Sequence, residues 1–442
     1  MCRLGKRYTL ILAHAVMIAC GLLLGAGAAR AGWHDYPNTA RIENVTVAPR
    51  DEKTATVSFD ISWRGSWRHE GNHDAVWVFF KVQAEGRTDW QPVRLVADKV
   101  LNPEGYGQAP GGTLLDLIVP DDDDGFVGMF VRRAEFGQGK VAASRVTAVW
   151  GFTANQGVTK DAKVRVQAFG IEMVYVPEGA FNLGSGGVEV NSFFMYTDGV
   201  NSDTPYRVTG PGAIPTGRQK GKLWSGKGAA PEDGGAIPAT FPNGYAAFYC
   251  MKSYIKGGQY AGFLNTLAAE EADKHYPGTG NITRLGTAPN YTYKSDAEDH
   301  VYDGYSWADA AAFAAWAGLR PMTELEYEKA SRGPIEPGWE TGFDLQYNSY
   351  WGMHDFNGWK TSCEHPATVA NAVGRRFKGT HGRGTTALPA DWPREDAVGM
   401  GTRGGWEYRN PSCRTAAASM PAERVRFQTW RGVRTAPKGV GL

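Results

Sequence analysis

Between residues 54 and 63, apolar and polar side chains alternate without interruption. One set is apolar and the other polar or acidic: Ala55, Val57, Phe59, Ile61 and Trp63 against Thr56, Ser58, Asp60 and Ser62. Because successive side chains of a strand point to opposite faces of its sheet, this pattern predicts an antiparallel strand with one buried face. Short apolar runs follow at 76–82, 114–119, 126–131 and 146–152. We therefore predict an antiparallel β-sandwich over residues 32–168.

Beyond residue 170 the chain is dominated by glycine- and proline-rich loops with a few helices. Apolar residues at helical spacing predict one helix over 258–274. Two further helices are predicted by residue pairs typical of capping boxes: Ser306 with Asp309, and Thr323 with Glu326. The fold class expected from these signals is α+β, with a loop-rich second domain over residues 169–442.

The first 31 residues have the pattern of a secretory signal peptide. Basic residues precede an apolar stretch over 8–24, and Ala29-Arg30-Ala31 resembles a cleavage site. An alternative is lipid attachment at Cys20. No later stretch reaches the twenty or so apolar residues needed to span a bilayer. We expect a secreted protein located in the periplasm, outside the cell or on its surface.

Charge and cysteine content restrict the possible partners and cofactors. Removal of residues 1–31 takes away four of the 47 basic residues and none of the 46 acidic ones. The slightly acidic remainder argues against nucleic acid as a partner. Three cysteines are left, Cys250, Cys363 and Cys413, which allow one disulfide of undetermined pairing and one free thiol.

A run of four acidic residues is a candidate cation site: Asp121, Asp122, Asp123 and Asp124. Calcium prefers clustered carboxylate oxygens of this kind. The spacing differs from that of known calcium loops, however, and a solvated turn between two strands explains the run equally simply. We favour the turn and keep calcium as the alternative.

Aromatic residues and arginines are concentrated between residues 403 and 434, among glycines and prolines. No helical or strand period continues for long there, which is typical of an irregular surface segment that carries binding groups. The candidate ligand-binding residues are Trp406, Tyr408, Arg409, Asn410, Arg414, Arg424 and Trp430. Aromatic faces stack on sugars or apolar anchors, and arginine pairs with carboxylate, sulfate or phosphate. The alternative is internal packing, in which these side chains tie loops to the core.

Four stretches resemble one known family. They are MVYVPEGAFNLGS from Met173, GGQYAGFLNTL from Gly257, GYSWADAAAFAAWAGLRPMTELEYEKASRG from Gly304, and a terminal GG, CRTA and RGVR pattern. Together they resemble the sulfatase-modifying-factor family, which includes formylglycine-generating enzymes, over residues 171–437. The resemblance implies a variant of the C-type lectin fold.

The resemblance also says which residues an enzyme of this type would need. Formylglycine-generating enzymes bind copper with two cysteines between the terminal RGG and the next arginine, since Cu(I) prefers thiolates. Here that interval holds Cys413 alone. A related branch, the ergothioneine-type sulfoxide synthases, takes iron ligands from a helical domain, whereas residues 32–169 are strand-rich and hold only His34, His69 and His73. We therefore do not transfer either activity, and Cys413 is a catalytic candidate only if the protein is an enzyme.

Acidic residues in the predicted helices are open to two interpretations. Asp309, Glu324, Glu326 and Glu328 have the chemistry of general acids or bases, but acids near helix N-termini also stabilise the helix. We favour the structural role. Similarly, loop hydrogen bonding is favoured for His354, His365 and His381 over pairing with a nucleophile at Ser412 or Cys413.

These observations favour a non-catalytic lectin-like recognition or structural domain. Its partner would be a glycan, a peptide or a surface protein, and an oligomeric surface assembly is a further reading. The alternatives are a copper- or iron-dependent oxidoreductase of the formylglycine-generating type and a binding protein diversified by a reverse-transcriptase cassette. In the last case the variable positions would be Glu407, Tyr408, Asn410, Ser419, Arg426 and Gln428, and the framework Gly404, Gly405, Arg414, Gly432 and Arg434.

Overall fold

The computed structural model describes residues 39–121, 127–184, 186, 192–197, 204–225, 235–278, 281–302, 304, 306–337, 348–354, 356, 367–370, 372–403, 430–441 and the backbone of 414–417. These residues belong to one compact unit, Tyr36–Leu442. Antiparallel strands far outweigh helices in this part of the chain. The predicted signal peptide lies outside it.

The strands of the described residues are β1 Arg41–Pro49, β2 Thr54–Arg68, β3 Asp74–Ala84, β4 Gln91–Pro92, β5 Leu115–Ile118, β6 Gly128–Arg133, β7 Gly137–Gly151, β8 Val164–Val176, β9 Phe181–Leu183, β10 Phe193–Met195, β11 Tyr206–Val208, β12 Leu223–Ser225, β13 Phe248–Met251, β14 Ile282–Thr287, β15 Asn290–Ser295, β16 Arg320–Pro321, β17 Gly401–Arg403, β18 Arg414–Ala417 and β19 Gly432–Thr435. The helices are α1 Gly257–Asn265, α2 Ala269–His275, α3 Trp307–Trp316 and α4 Glu324–Arg332, with short 3₁₀ turns at Phe152–Ala154 and Gly374–Arg376.

The alternating residues 54–63 form the first part of β2, as predicted. This strand lies between β1 and β7 in a three-stranded antiparallel sheet. Its buried face, from Ala55 to Trp63, packs in one apolar cluster with Val76 and Val78 of β3 and with Val131 of β6. Two sheets therefore face each other across this core.

The second sheet is the larger, with strands in the order β16–β19–β13–β8–β3–β6–β5 and β4 paired with β3. Strands from both sides of the predicted boundary at residues 168 and 169 take part, and β8 itself crosses that position. In register, Trp77 of β3 pairs with Ile171 of β8, and Tyr249 of β13 pairs with Tyr175. The sheet therefore continues from the predicted first domain into the second.

The opposite face of β3 is covered by helices. Ala75, Trp77 and Phe79 belong to a second apolar cluster that includes residues of α1 and α3. The indole nitrogen of Trp77 donates to the carbonyl of Ala317 at 2.8 Å, directly after α3. Strand β3 is therefore buried on both faces, which explains its continuous run of apolar side chains.

Both predicted capping boxes are present. Ser306 accepts from the backbone of Asp309 and Thr323 from the backbone of Glu326, and each acid returns a bond to the backbone of its partner. The prediction of one helix over 258–274 is wrong, because the chain forms two helices separated at Thr266. The Thr266 hydroxyl bonds to the Phe263 carbonyl at 3.0 Å and accepts from the Trp316 indole at 2.9 Å, which ends the first helix. No helix of the described ranges is long and apolar enough to cross a membrane.

The shared sheet makes a prediction about fragments of the chain. Expressed separately, residues 39–168 and 169–442 should not fold cooperatively, because each would expose apolar faces that β3 and β8 bury together. Circular dichroism melting of each fragment and of their mixture tests this. A cooperative transition in either fragment alone would show that the sheet divides into independent halves.

Candidate functional site

The predicted binding residues are mostly outside the described part of the chain. This applies to Trp406, Tyr408, Arg409, Asn410 and Arg424, and also to Cys413. Arg414 is described only through its backbone in β18, where it pairs with Arg403 of β17. The residues on either side of the 404–429 segment are described, and they show how that segment is attached to the rest of the molecule.

Arg403 holds the start of this segment. Its side chain is fully buried and lies between two carboxylates of α4. Nη1 donates to Oε1 of Glu328 at 2.7 Å, and Nε donates to Oε2 of Glu324 at 3.2 Å. The guanidinium also lies 4.6 Å from the ring centroid of Phe193, a favourable cation–π position. Arg403 is thus fixed on three sides.

The helix supplies this pair of carboxylates by its periodicity. Glu324 and Glu328 are four residues apart and therefore lie on the same face of α4. Each has further donors: the backbone of Val369 at 2.7 Å for Glu324, and the backbone of Gly184 at 2.6 Å for Glu328. Buried charges persist only when they are paired and hydrogen-bonded in this way.

The other helical acids are similarly occupied. Glu326 caps α4 and forms a two-pronged ion pair with Arg320, at 2.8 and 2.7 Å. Asp309 caps α3 and contacts Nδ1 of His275 at 2.9 Å. This supports the structural interpretation of these acids over general acid–base roles.

A second group of buried residues holds the other end of the segment. Arg431 donates to the carbonyls of Met251 and Lys252, at 3.0 and 2.9 Å, and to that of His354. Its guanidinium lies 3.9 Å from the ring centroid of Tyr254. Arg434 donates to the Gly318 carbonyl and lies 4.5 Å from the centroid of the Trp77 ring system.

Trp430 corrects an expectation. Its side chain is fully buried and packs in the same apolar cluster as the helices. In this structure its face is therefore part of the core and is not open to a ligand, so the internal-packing alternative describes this residue. The same holds for Arg403, Arg431 and Arg434, which composition alone had suggested were on the surface. We call these four residues the anchor residues.

A buried ion cluster next to the anchor residues was not predicted. The Lys252 ammonium lies 3.1 Å from Asp74 and 3.3 Å from Glu172. Glu172 also accepts from the backbone of Thr39 and Ala40, at 2.6 and 3.0 Å. Burial raises the pKa of Asp74. Three charges from three distant sequence positions leave no local signal, which is why the sequence did not reveal the cluster.

The candidate metal ligands and thiols are only partly described. Asp121 is exposed, whereas Asp122, Asp123 and Asp124 lie outside the described residues. Cys250 is buried, with its sulfur 3.7 Å from the Met251 carbonyl, and Cys363 lies outside the described ranges. Within those ranges no three His, Cys, Asp or Glu side chains are grouped so that they could hold a metal ion.

Comparison of the chain with protein-family models gives no match, and no curated protein is significantly similar to it.

Arg403 provides a stability test. Replacing it with methionine should lower the free energy of unfolding by about 3–5 kcal/mol, because Glu324 and Glu328 would lose the buried cation between them, although Arg332 would remain 3.3 Å from Glu328. Arg403→Lys should lower the free energy of unfolding by a smaller amount, because an ammonium retains the positive charge but cannot form the two-pronged contact of a guanidinium. Arg41→Met is the matched control: its pair with Asp299 is exposed, and its loss should cost under about 1 kcal/mol. Urea unfolding measures all three, and equal effects at Arg403 and Arg41 would contradict this account.

The lowered pKa of His354 predicts that the stability of the fold depends on pH. Burial, reinforced by Lys252, Arg431 and Lys256, lowers its pKa from 6.5 to about 3. Between these values the unfolded chain binds a proton that the folded chain does not, so stability is lost as pH falls from about 6.5 towards 3. For one proton the loss is at most about 1.4 kcal/mol per pH unit.

Urea midpoints at pH 7 and pH 5 measure this effect. His354→Gln should reduce the drop between the two, and His69→Gln, at an exposed position, should leave it unchanged. Burial also lowers the pKa values of His73 and His381, so part of the drop should persist in His354→Gln. Identical drops in wild type and His354→Gln would show that His354 is not the titrating group.

Proposed function

We propose that this chain is a secreted or cell-surface recognition protein whose ligand contacts the 404–429 segment. The observation that supports this most directly is the buried pairing of Arg403 with Glu324 and Glu328 at the start of the segment. Arg431 and Arg434 provide the corresponding attachment at its end. A segment fixed at both ends loses less conformational entropy when it binds.

The composition of the segment determines the class of ligand. It offers Trp406 and Tyr408 as stacking groups and Arg409, Arg414 and Arg424 as cationic hydrogen-bond donors. Such groups recognise sugars, peptides and acidic surface groups, and aromatic side chains of this type dominate many protein interfaces. A glycan, a peptide or a surface protein is therefore the proposed partner, in the periplasm or outside the cell.

The proposed fold of residues 171–437 is the C-type lectin variant of the sulfatase-modifying-factor family. Several landmarks of that resemblance are elements of the central packing. Met173 lies in β8, Gly257 begins α1, and Gly432 lies in β19. Few helices and many short antiparallel strands are in keeping with the proposal. The N-terminal strands would then be an addition that extends the sheet of the lectin-like domain.

A diversified binding protein is the second candidate, and it is favoured by the burial of two proposed framework residues. Arg434 is fully buried, and a Cβ added at Gly432 would lie 2.9 Å from Leu319. Both positions are therefore tightly packed, whereas the proposed variable positions lie between the anchor residues. An adenine-rich near-copy of this coding segment beside the gene would support diversification, and its absence would favour an invariant ligand.

The rival from a different class is a copper- or iron-dependent oxidoreductase. Stoichiometric copper or iron in the purified protein, lost on Cys413→Ser, would favour that enzyme over the recognition function.

The recognition function is tested by screening the protein against glycans and surface proteins with and without the aromatic pair. Replacing Trp406 and Tyr408 together with alanine should weaken binding of the ligand found by about 2 kcal/mol or more, as at an interface hot spot. Phe136→Ala is the control, because this ring is 64% exposed and lies outside the segment. A ligand bound equally by the double variant would move the binding site elsewhere.

A further inference from the structure

An open groove lies between the end of β2 and residues 349–354, outside the 404–429 segment. Its volume is about 820 Å³, within the range of small-ligand sites. Aromatic side chains and uncharged polar groups line it, chiefly Trp67, His69, Gln138, Tyr350 and Trp351.

The two indole rings of the groove are held in place by hydrogen bonds of their nitrogen atoms, and both rings are partly exposed. The indole nitrogen of Trp67 donates to Asn72 at 2.9 Å, and that of Trp351 donates to the Lys329 carbonyl at 2.9 Å. Asn72 in turn donates to the carbonyl of Trp351 at 2.7 Å. The NH groups of both indoles are therefore hydrogen-bonded within the protein, so a ligand would contact the exposed carbon atoms of the rings.

Tyr350 and Trp351 form a corner. Their ring planes are 88° apart with centroids separated by 4.7 Å. One side of the Tyr350 ring lies against Gly333, where an added Cβ would overlap it, while the residue as a whole is 42% exposed. The Tyr350 amide donates to the Ser331 carbonyl at 2.8 Å, which fixes the backbone beneath the corner. The two rings are thus positioned by contacts within the protein, without a ligand.

A glycine keeps the groove open on its inner side. Gly352 has φ +95°, a conformation that favours glycine, and a Cβ there would lie 3.1 Å from the Trp67 ring. Behind Trp67, the Lys252 ammonium is 4.7 Å from the ring and is paired with Asp74 and Glu172. This charge is neutralised inside the protein and does not select an anionic ligand.

The chemistry of the lining points to one ligand class. Among the described lining residues none is Asp, Glu, Lys or Arg, although charged residues make up 21% of the chain. A neutral sugar presents an apolar ring face to an aromatic side chain and hydroxyls to imidazole and amide groups. We propose that this groove binds a neutral oligosaccharide, which stacks on Tyr350 and Trp351 and hydrogen-bonds to His69 and Gln138.

Isothermal titration of the full chain with four neutral hexasaccharides tests the proposal: cellohexaose, laminarihexaose, mannohexaose and chitohexaose. At least one should bind. Tyr350→Ala should raise its Kd about tenfold or more, as expected for loss of a stacking platform. Tyr350→Phe, which retains the ring, and Phe136→Ala, an exposed ring elsewhere, should bind like wild type. Absence of binding by all four sugars overturns the proposal, as does unchanged affinity in Tyr350→Ala.

Two further variants separate this groove from the proposed recognition segment and from a folding defect. His69→Asn retains an acceptor for the Gly71 and Asn72 amides, and combined with Gln138→Ala at an exposed position it should weaken sugar binding without lowering the melting temperature. Trp406→Ala with Tyr408→Ala should leave the sugar affinity unchanged. Loss of sugar binding in that second pair, with full binding in Tyr350→Ala, would assign the sugar to the 404–429 segment and overturn the groove proposal.

Discussion

The buried contact between Arg403 and helix α4 is the interaction on which the arrangement of the C-terminal region depends. Removing three charges from water is costly, and the cost is offset only if every partner is placed well. Glu324 and Glu328 meet this condition, since each also accepts from a backbone amide, of Val369 and Gly184 respectively. Such a cluster contributes mainly to specificity, because alternative placements of β17 would remove the Arg403 guanidinium from both carboxylates.

Met251, Lys252 and His354 link the two proposed binding surfaces. Arg431, at the end of the 404–429 segment, donates to the carbonyls of Met251, Lys252 and His354. Lys252 also supports the Trp67 ring, which lines the groove. Lys252, which directly follows β13 of the large sheet, therefore contacts both Arg431 at the end of the segment and Trp67 in the groove.

Local patterns in the sequence predicted what depends on local physics. The alternation that became β2 and the capping boxes at Ser306 and Thr323 were recognisable because neighbouring residues produce them. The pairing of β3 with β8 across the predicted domain boundary was not, since partners about ninety residues apart leave no local pattern. The anchor arginines look like surface residues in composition, but Arg403 is buried against carboxylates, and Arg431 and Arg434 are buried against backbone carbonyls and aromatic rings. The groove likewise combines Trp67 and Trp351, which the sequence does not connect.

Buried contacts hold both ends of the 404–429 segment on the large sheet and helix α4. Native-state amide hydrogen exchange measures this directly through the amides of Arg403 in β17 and Val433 in β19, both in buried strands. These amides should exchange only by global unfolding, with the same opening free energy as the amides of β3. Opening at the much lower free energy expected of the exposed β14–β15 hairpin would contradict this attachment.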